Sequence, residues 1–311
     1  MSANYAVIDI GTIKVKFFIA SPSNSGLHEI YSSSVLTCFG CGMTENKGYV
    51  EEARLQDTIN ELKRCKRILK KYKVKKSRVV STHALRRAKN RKVIVKKIKN
   101  ETGFDVINIS QKEEAELFFK AALRDFPKSS RYAVLDIGGG SVQILVGNPG
   151  KLDKIHMMQT GAQYLHEKFT NDPHNPKSFT RTEDIENMKK HIISQLLPLD
   201  KGLKAPVVYG STNIIDLMKA VNVPLKSFEK SKTHPYKTYA RYLNTFIEKI
   251  TPLSYEKREE KYKFQRGYMW GVDKAFLNVT TISGYLNSPF IIPSNANIAK
   301  GILYLMTEKE S

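Results

Sequence analysis

Tyr5-Ala6-Val7-Ile8-Asp9-Ile10-Gly11 returns almost unchanged as Tyr132-Ala133-Val134-Leu135-Asp136-Ile137-Gly138. Each copy is a short apolar run that ends in Asp-Ile-Gly and passes straight into a second apolar or alternating run, Val15 to Ala20 and Val142 to Val146. That is the pattern of a β-hairpin. The turn sets an aspartate beside bare backbone N–H groups. Glycine lets backbone approach a ligand that a side chain would block, and successive N–H groups in a turn form an anion-binding concavity. A carboxylate next to such a nest repels phosphate unless a cation sits between them, which points to a divalent metal with oxygen ligands. Gly138-Gly139-Gly140-Ser141 holds more glycine than a turn needs. One tip in each half of the chain predicts two lobes gripping one phosphate.

At 311 residues the chain has length for two domains with their own cores, and 41% hydrophobic content suits a soluble globular protein. No apolar stretch approaches the roughly 20 residues a membrane helix needs. Met1-Ser2-Ala3-Asn4 lacks the basic start of a signal peptide, so the sequence reads as cytoplasmic, with no membrane partner. Cys38, Cys41 and Cys65 cannot build a disulfide framework. Cys38 and Cys41 read as loop residues, whereas Cys65 falls on the apolar stripe Leu55, Ile59, Leu62, Cys65, Leu69 of an expected helix. The net charge of +21 is uneven: Lys63 to Asn100 carries 18 basic residues and no acidic one. Such a field attracts polyanions. Nucleic acid, an anionic membrane surface and long inorganic polyphosphate are the candidates it leaves open.

Strands and helices alternate after the first hairpin, which argues an α/β architecture. The spacing predicts a helix over Glu51–Tyr72, a strand over Arg78–Ser81, a basic helix over Ala84–Lys99 and a strand over Phe104–Ile109. Ser110-Gln111-Lys112-Glu113 is a capping box that opens a helix to about Phe126. Pro127 to Ser130 is linker-like, placing the domain boundary near residue 125, with lobes 1–125 and 126–311. Further on, Lys154–Met158 reads as extended, Gly161–Thr170 as a short helix and Asn171–Pro176 as a loop. Thr180-Arg181-Thr182-Glu183 is read as a second capping box, before a helix to Leu197. Val207–Tyr209 is a strand that delivers Gly210-Ser211-Thr212 to a helix start, a candidate anion or nucleoside loop. The rest is mostly helical, with a late strand at Phe290–Pro293 and a closing helix, about 297–306, expected to pack back on the first lobe.

Paired tips of this kind resemble the phosphate loops of the actin-like/ribonuclease H-like superfamily. Three further segments resemble one family within it. Ser81-Thr82-His83-Ala84-Leu85-Arg86-Arg87-Ala88-Lys89-Asn90 is similar to the Thr-x-Ala-Leu-Arg-x-Ala-x-Asn segment of the exopolyphosphatase/guanosine pentaphosphate phosphatase (Ppx/GppA) family. Glu113-Glu114-Ala115-Glu116-Leu117 is similar to its Glu-Glu-Ala-x-Leu, 22 residues ahead of Asp136 from Glu114. Gly161, Ala162, Leu165, Glu167 and Phe169 match its Gly-Ala-x-x-Leu-x-Glu-x-Phe stretch. The resemblance implies an α/β, two-lobed ribonuclease H-like/actin-like fold with an interlobe cleft, without the HD-type domain of longer members, and a homodimer.

Residue by residue, the resemblance implies that Glu114 is the general base, orienting and deprotonating a water for attack on a terminal phosphoryl group. Asp9 and Asp136 would anchor Mg²⁺ or another divalent cation. Gly11, Thr12, Gly138, Gly139, Gly140 and Ser141 would supply phosphate donors, Arg86 would clamp a phosphate, and Asn90 would be a structural partner. The chain departs from the family at Ile13 and Lys14, where Asn-Ser is usual, and at Gln143, where Glu is usual. Lys14 adds a fixed cation for phosphate; Gln143 removes a charge from the expected metal surroundings. The leading expectation is a metal-dependent exopolyphosphatase, with guanosine pentaphosphate as a further substrate. Two alternatives stay open: a non-catalytic polyphosphate- or nucleic-acid-binding protein on the same fold, and an ATP-binding actin-like protein.

Overall fold

The computed structural model describes residues 3–23, 26–172, 178–265 and 267–308. The chain divides into two compact units, residues 1–121 with 298–311 and residues 122–297. The expected loop Asn171–Pro176 lies mostly outside the described residues.

The first unit contains β1 (Asn4–Ile10), β2 (Lys14–Ser23), β3 (Gly26–Leu36), α1 (Glu52–Lys71), β4 (Val74–Ser81), α2 (His83–Arg87), α3 (Arg91–Thr102), β5 (Val106–Asn108) and α4 (Gln111–Ala122). The second contains β6 (Tyr132–Ile137), β7 (Val142–Asn148), β8 (Lys151–Met158), α5 (Ala162–Phe169), α6 (Thr182–Leu196), β9 (Val207–Gly210), α7 (Ile214–Ala220), β10 (Lys226–Ser227), β11 (Tyr236–Lys237), α8 (Ala240–Ile250), α9 (Tyr255–Tyr262), α10 (Val272–Tyr285) and β12 (Ile291–Ser294). The closing helix α11 (Ile298–Glu308) belongs with the first unit and packs on β1 and β2.

The sequence repeat becomes a repeat of topology. One sheet has the order β3-β2-β1-β4-β5 and the other β8-β7-β6-β9-β12. In both, the first three strands in sequence form antiparallel hairpins and the last two add in parallel. Period-2 alternation sorts each strand's side chains. In β1, Ala6, Ile8 and Ile10 join a core with Leu55, Ile59, Leu62 and Cys65 of α1 and Ile94 and Ile98 of α3. Tyr5 and Val7 point to the opposite face, onto Ile298, Ile302 and Met306 of α11, with Leu117 of α4 packed against that cluster. Asp9 shares this second face with Lys16, its direct partner in the ladder. In the second sheet Asp136 faces Gln143 at the equivalent position.

The structure corrects several boundaries. The basic helix expected over Ala84–Lys99 is broken into α2 and α3, because Asn90 turns its amide to the backbone of Val50, accepting from its N–H at 3.1 Å and donating to its carbonyl at 3.0 Å. The Ser110 capping box forms as expected: the Glu113 N–H donates to Ser110 Oγ, and the Ser110 N–H to Glu113 Oε2 at 2.9 Å. Its helix stops at Ala122 rather than near Phe126. The second capping box is shifted by one residue. The Arg181 N–H donates to Asp184 Oδ2, while Thr180 donates its hydroxyl to Asp273. None of the described helices is long and apolar enough to cross a membrane.

Candidate active site

In the first unit, β1 carries Asp9 next to its last residue, Ile10, and the chain turns through Gly11, Thr12 and Ile13 into Lys14. The Gly11 N–H closes this turn on the Lys14 carbonyl at 3.0 Å. The second tip is built the same way, the Gly138 N–H closing on the Ser141 carbonyl at 3.0 Å. Among the described residues, the N–H groups of Thr12 and Ile13, and of Gly139 and Gly140, have no protein acceptor. Each tip therefore presents two adjacent unspent donors, the geometry of an anion nest.

The first tip is fixed from below by residues 37–50. The Thr37 and Cys38 N–H groups donate to the Ile13 carbonyl, and Gly40 donates to that of Thr12 at 2.8 Å. A Cβ on Gly40 would lie 2.8 Å from Ala84 Cβ and 2.9 Å from Thr12 Cγ2, so only glycine lets α2 approach the tip this closely. The Asn90–Val50 latch closes the far end of the segment. In the second unit α5 does the fixing. The N–H of Ala162 donates to the Gly138 carbonyl, and those of Gln163 and Tyr164 to that of Gly139, at 3.0, 2.8 and 3.0 Å. Helix N-terminal donors thus hold the loop's carbonyls and leave the Gly139 and Gly140 N–H groups unspent.

Arg86 in α2 and Glu114 in α4 meet in an ion pair, Nη1 to Oε2 at 2.6 Å, with side chains 18% and 11% exposed. The same Nη1 also donates to the Ile109 carbonyl at 2.9 Å, while Nε and Nη2 have no partner among the described residues. His83, one turn before Arg86, is held neutral. Burial and the charges of Arg87 and Arg86 lower its pKa to about 4.

Asp9 is buried, and its Oδ1 has no hydrogen-bond partner among the described residues. Burial pushes its carboxyl up, and the Lys16 charge pulls it partway back. An orphaned carboxylate oxygen fits a hard cation bound largely through substrate oxygens and water, as Mg²⁺ binds through one or two carboxylates. No group of three or more His, Cys, Asp or Glu among the described residues could hold a metal unaided. Across from Asp136, Gln143 is buried with an unpartnered Oε1.

The structure separates the remaining candidates. Gly210-Ser211-Thr212 leads out of β9, and most of its groups are committed within the protein, the Thr212 N–H excepted. The Ser211 N–H donates to the Ser294 carbonyl, Tyr268 donates its hydroxyl to the Thr212 carbonyl, and Asn297 bonds Thr212 Oγ1. The Ile215 N–H at the start of α7 is taken by Asn295. Asn90 is the latch described above. Sequence reasoning passed over Lys16 and Gly40. For Lys16 the signal was the repeat itself, since Lys16 follows Asp9 by the interval at which Gln143 follows Asp136.

Two sheets of identical order, each with an Asp-Ile-Gly tip, define a protein of the ribonuclease H-like/actin-like fold. Residues 18–265 match the model of the Ppx/GppA phosphatase family, and the chain belongs to that family. It is 30% identical over 173 residues to the bifunctional 3-dehydroquinate synthase/phosphatase of Fusobacterium nucleatum, covering 53% of this chain and 26% of that protein. It is 24% identical over 172 residues to the guanosine-5'-triphosphate,3'-diphosphate pyrophosphatase of Aliivibrio fischeri, covering 55% and 34%. The chain thus spans about a quarter to a third of the length of these relatives. The crystal structure of an exopolyphosphatase from Cytophaga hutchinsonii superposes with a TM-score of 0.83 at 23% identity, covering 98% of each chain, and shares the fold.

Proposed function

We propose that this protein is a phosphohydrolase that releases terminal orthophosphate from inorganic polyphosphate, with Glu114 as general base. The observation that carries the reading is the Arg86–Glu114 pair. A carboxylate only 11% exposed is held by a guanidinium that keeps Nε and Nη2 for a phosphate oxygen. The proton path follows from that geometry. A phosphate oxygen that takes over the guanidinium releases Glu114 to accept a proton from water. The water oxygen bonds to the terminal phosphorus as the bridging P–O bond breaks, and the shortened chain leaves with the bridging oxygen. The unspent N–H groups at each tip stabilise charge on phosphoryl oxygens without reorganising during the reaction. Asp9 in the first unit and, separately, Asp136 in the second would each offer a carboxylate to Mg²⁺, which when bound supplies charge neutralisation at phosphoryl oxygens. Lys16 adds fixed positive charge beside Asp9, and Lys14 brings a second cation to the tip that Gly11 closes.

Polyphosphate is favoured over a guanosine nucleotide on two counts. The loop expected to meet a nucleoside, Gly210 to Thr212, has spent its Ser211 N–H, Thr212 carbonyl and Thr212 hydroxyl on Ser294, Tyr268 and Asn297, leaving the Thr212 N–H as its one donor without an acceptor among the described residues. The Lys63–Asn100 segment, which carries Arg86, supplies the cationic field for a long polyanion. The test measures orthophosphate release from long-chain polyphosphate and from guanosine pentaphosphate with Mg²⁺. Release from polyphosphate, lost in Glu114→Ala, supports the reading. Salt-sensitive binding without turnover supports the polyanion-binding alternative.

A further inference from the structure

The second unit buries more positive than negative charge at one place. Arg258 of α9 and Lys274 of α10 have side chains only 5% and 3% exposed, and both ion-pair with the fully buried Asp273, at 3.0 and 2.7 Å. Arg258 spends Nε on the carbonyls of Ile250 and Leu253 and Nη2 on Asp273. Lys274 Nζ donates to Asp273 Oδ2 and, at 2.6 Å, to Thr180 Oγ1. Asp184, the other carboxylate whose field reaches Lys274, is itself taken by Arg181 at 2.6 Å, so that pair adds no net charge. Burial pulls the Lys274 ammonium's pKa down while Asp273 holds it partway up, and with Lys274 protonated the described residues leave two buried cations against one anion.

An uncompensated buried charge is costly, and proteins pair it, neutralise it or bind a counter-ion. Beside this cluster lies a small cavity lined by His166, Thr180, Tyr255, Arg258, Trp270 and Lys274, with about 20 Å³ open to a water-sized sphere. One water needs ~10–15 Å³ by the same measure, so the space suits one water or one monatomic ion. An ammonium has three protons to give, and Lys274 has committed two. We propose that the cavity is a halide site, where a chloride ion against Lys274 and Arg258 balances the buried charge. The site touches the second glycine tip through α5: His166 lies in that helix, and Trp270 Nε1 donates to Gln163 at 2.7 Å, the residue whose N–H holds the Gly139 carbonyl.

The test is thermal unfolding of the full chain as chloride replaces gluconate at constant ionic strength. A rise that grows with the logarithm of chloride concentration is expected, about 2 °C at ten times the dissociation constant. Because the chain carries a net charge of +21 and collects anions at its surface, two variants that each remove one positive charge are compared. Lys257→Met, at an exposed position, retains the rise; Lys274→Met abolishes it. Crystals of the unaltered protein grown in bromide should show an anomalous peak in contact with Lys274 Nζ, which decides the matter even if Lys274→Met fails to fold. Equal melting temperatures in chloride and gluconate, an undiminished rise in Lys274→Met, or no bromide peak would overturn the proposal.

Discussion

Gly161→Ala places one methyl group against the second phosphate tip. Gly161 has φ −57° and ψ 157°, a conformation open to alanine, so backbone strain contributes nothing. The added Cβ would lie 2.4 Å from Gly139 O and 2.4 Å from Ser141 N, where ordinary contact begins at 3.4 Å. Both neighbours are backbone, so no rotamer absorbs the overlap, and tip and helix must part by about 1 Å. Three hydrogen bonds span that gap, from Ala162, Gln163 and Tyr164 to the carbonyls of Gly138 and Gly139. At ~0.5–1.5 kcal/mol each their full loss would cost about 1.5–4.5 kcal/mol, and with some surviving in bent form the expected loss is about 2–3 kcal/mol. Turnover should fall roughly 100-fold, the usual effect of misplacing donors by that distance. Urea unfolding and orthophosphate release measure the two effects. Gly284→Ala, where a Cβ meets nothing within 4 Å, is the control and should be neutral or slightly stabilising. Gly161→Ala with stability within about 0.5 kcal/mol of the parent and unchanged turnover would refute the idea that α5 holds the tip.

Three further predictions concern the first unit and Gln143. In a double-mutant cycle on unfolding, Arg86→Met and Glu114→Gln should couple by about 1–3 kcal/mol, since each alone strands a mostly buried partner; additive effects would mean the pair is not formed in solution. His83 titrates near 4 when folded and near 6.5 when unfolded, so below 6.5 the unfolded chain takes up the proton first. Its contribution is present above pH 6.5 and is lost as pH falls toward 4, by at most about 3 kcal/mol; a His83→Gln variant should flatten that part of the stability profile, and an unchanged slope would discount the buried neutral imidazole. Gln143→Glu, facing Asp136, should tighten Mg²⁺ binding measured calorimetrically without substrate by roughly tenfold, about 1.4 kcal/mol. Unchanged affinity would remove Asp136 from the metal's surroundings.

Features set by near neighbours were legible in the sequence. The duplicated apolar strand and its turn glycine depend on residues a few positions apart. The Ser110–Glu113 box is equally local and formed where expected. What escaped is decided by distant partners. The break between α2 and α3 follows from Asn90 bonding Val50, 40 residues earlier. The strand β3 is half-exposed along its length and shows no apolar alternation to announce it. Gly210-Ser211-Thr212 is recognisable as a turn, yet what it can bind is decided by Ser294 and Asn297, more than 80 residues on. Within the candidate site, Glu114 was visible as an acid beyond the needs of helix capping. Its ion pair with Arg86, 28 residues away, was not, because it depends on how α2 and α4 pack.

The most direct test of the account is orthophosphate release from long-chain polyphosphate with Mg²⁺ by the native protein and by Glu114→Gln, both verified as folded. The account predicts release by the native chain and a fall of about 100-fold or more in the variant. No release by the native protein, or equal release by the variant, would contradict it.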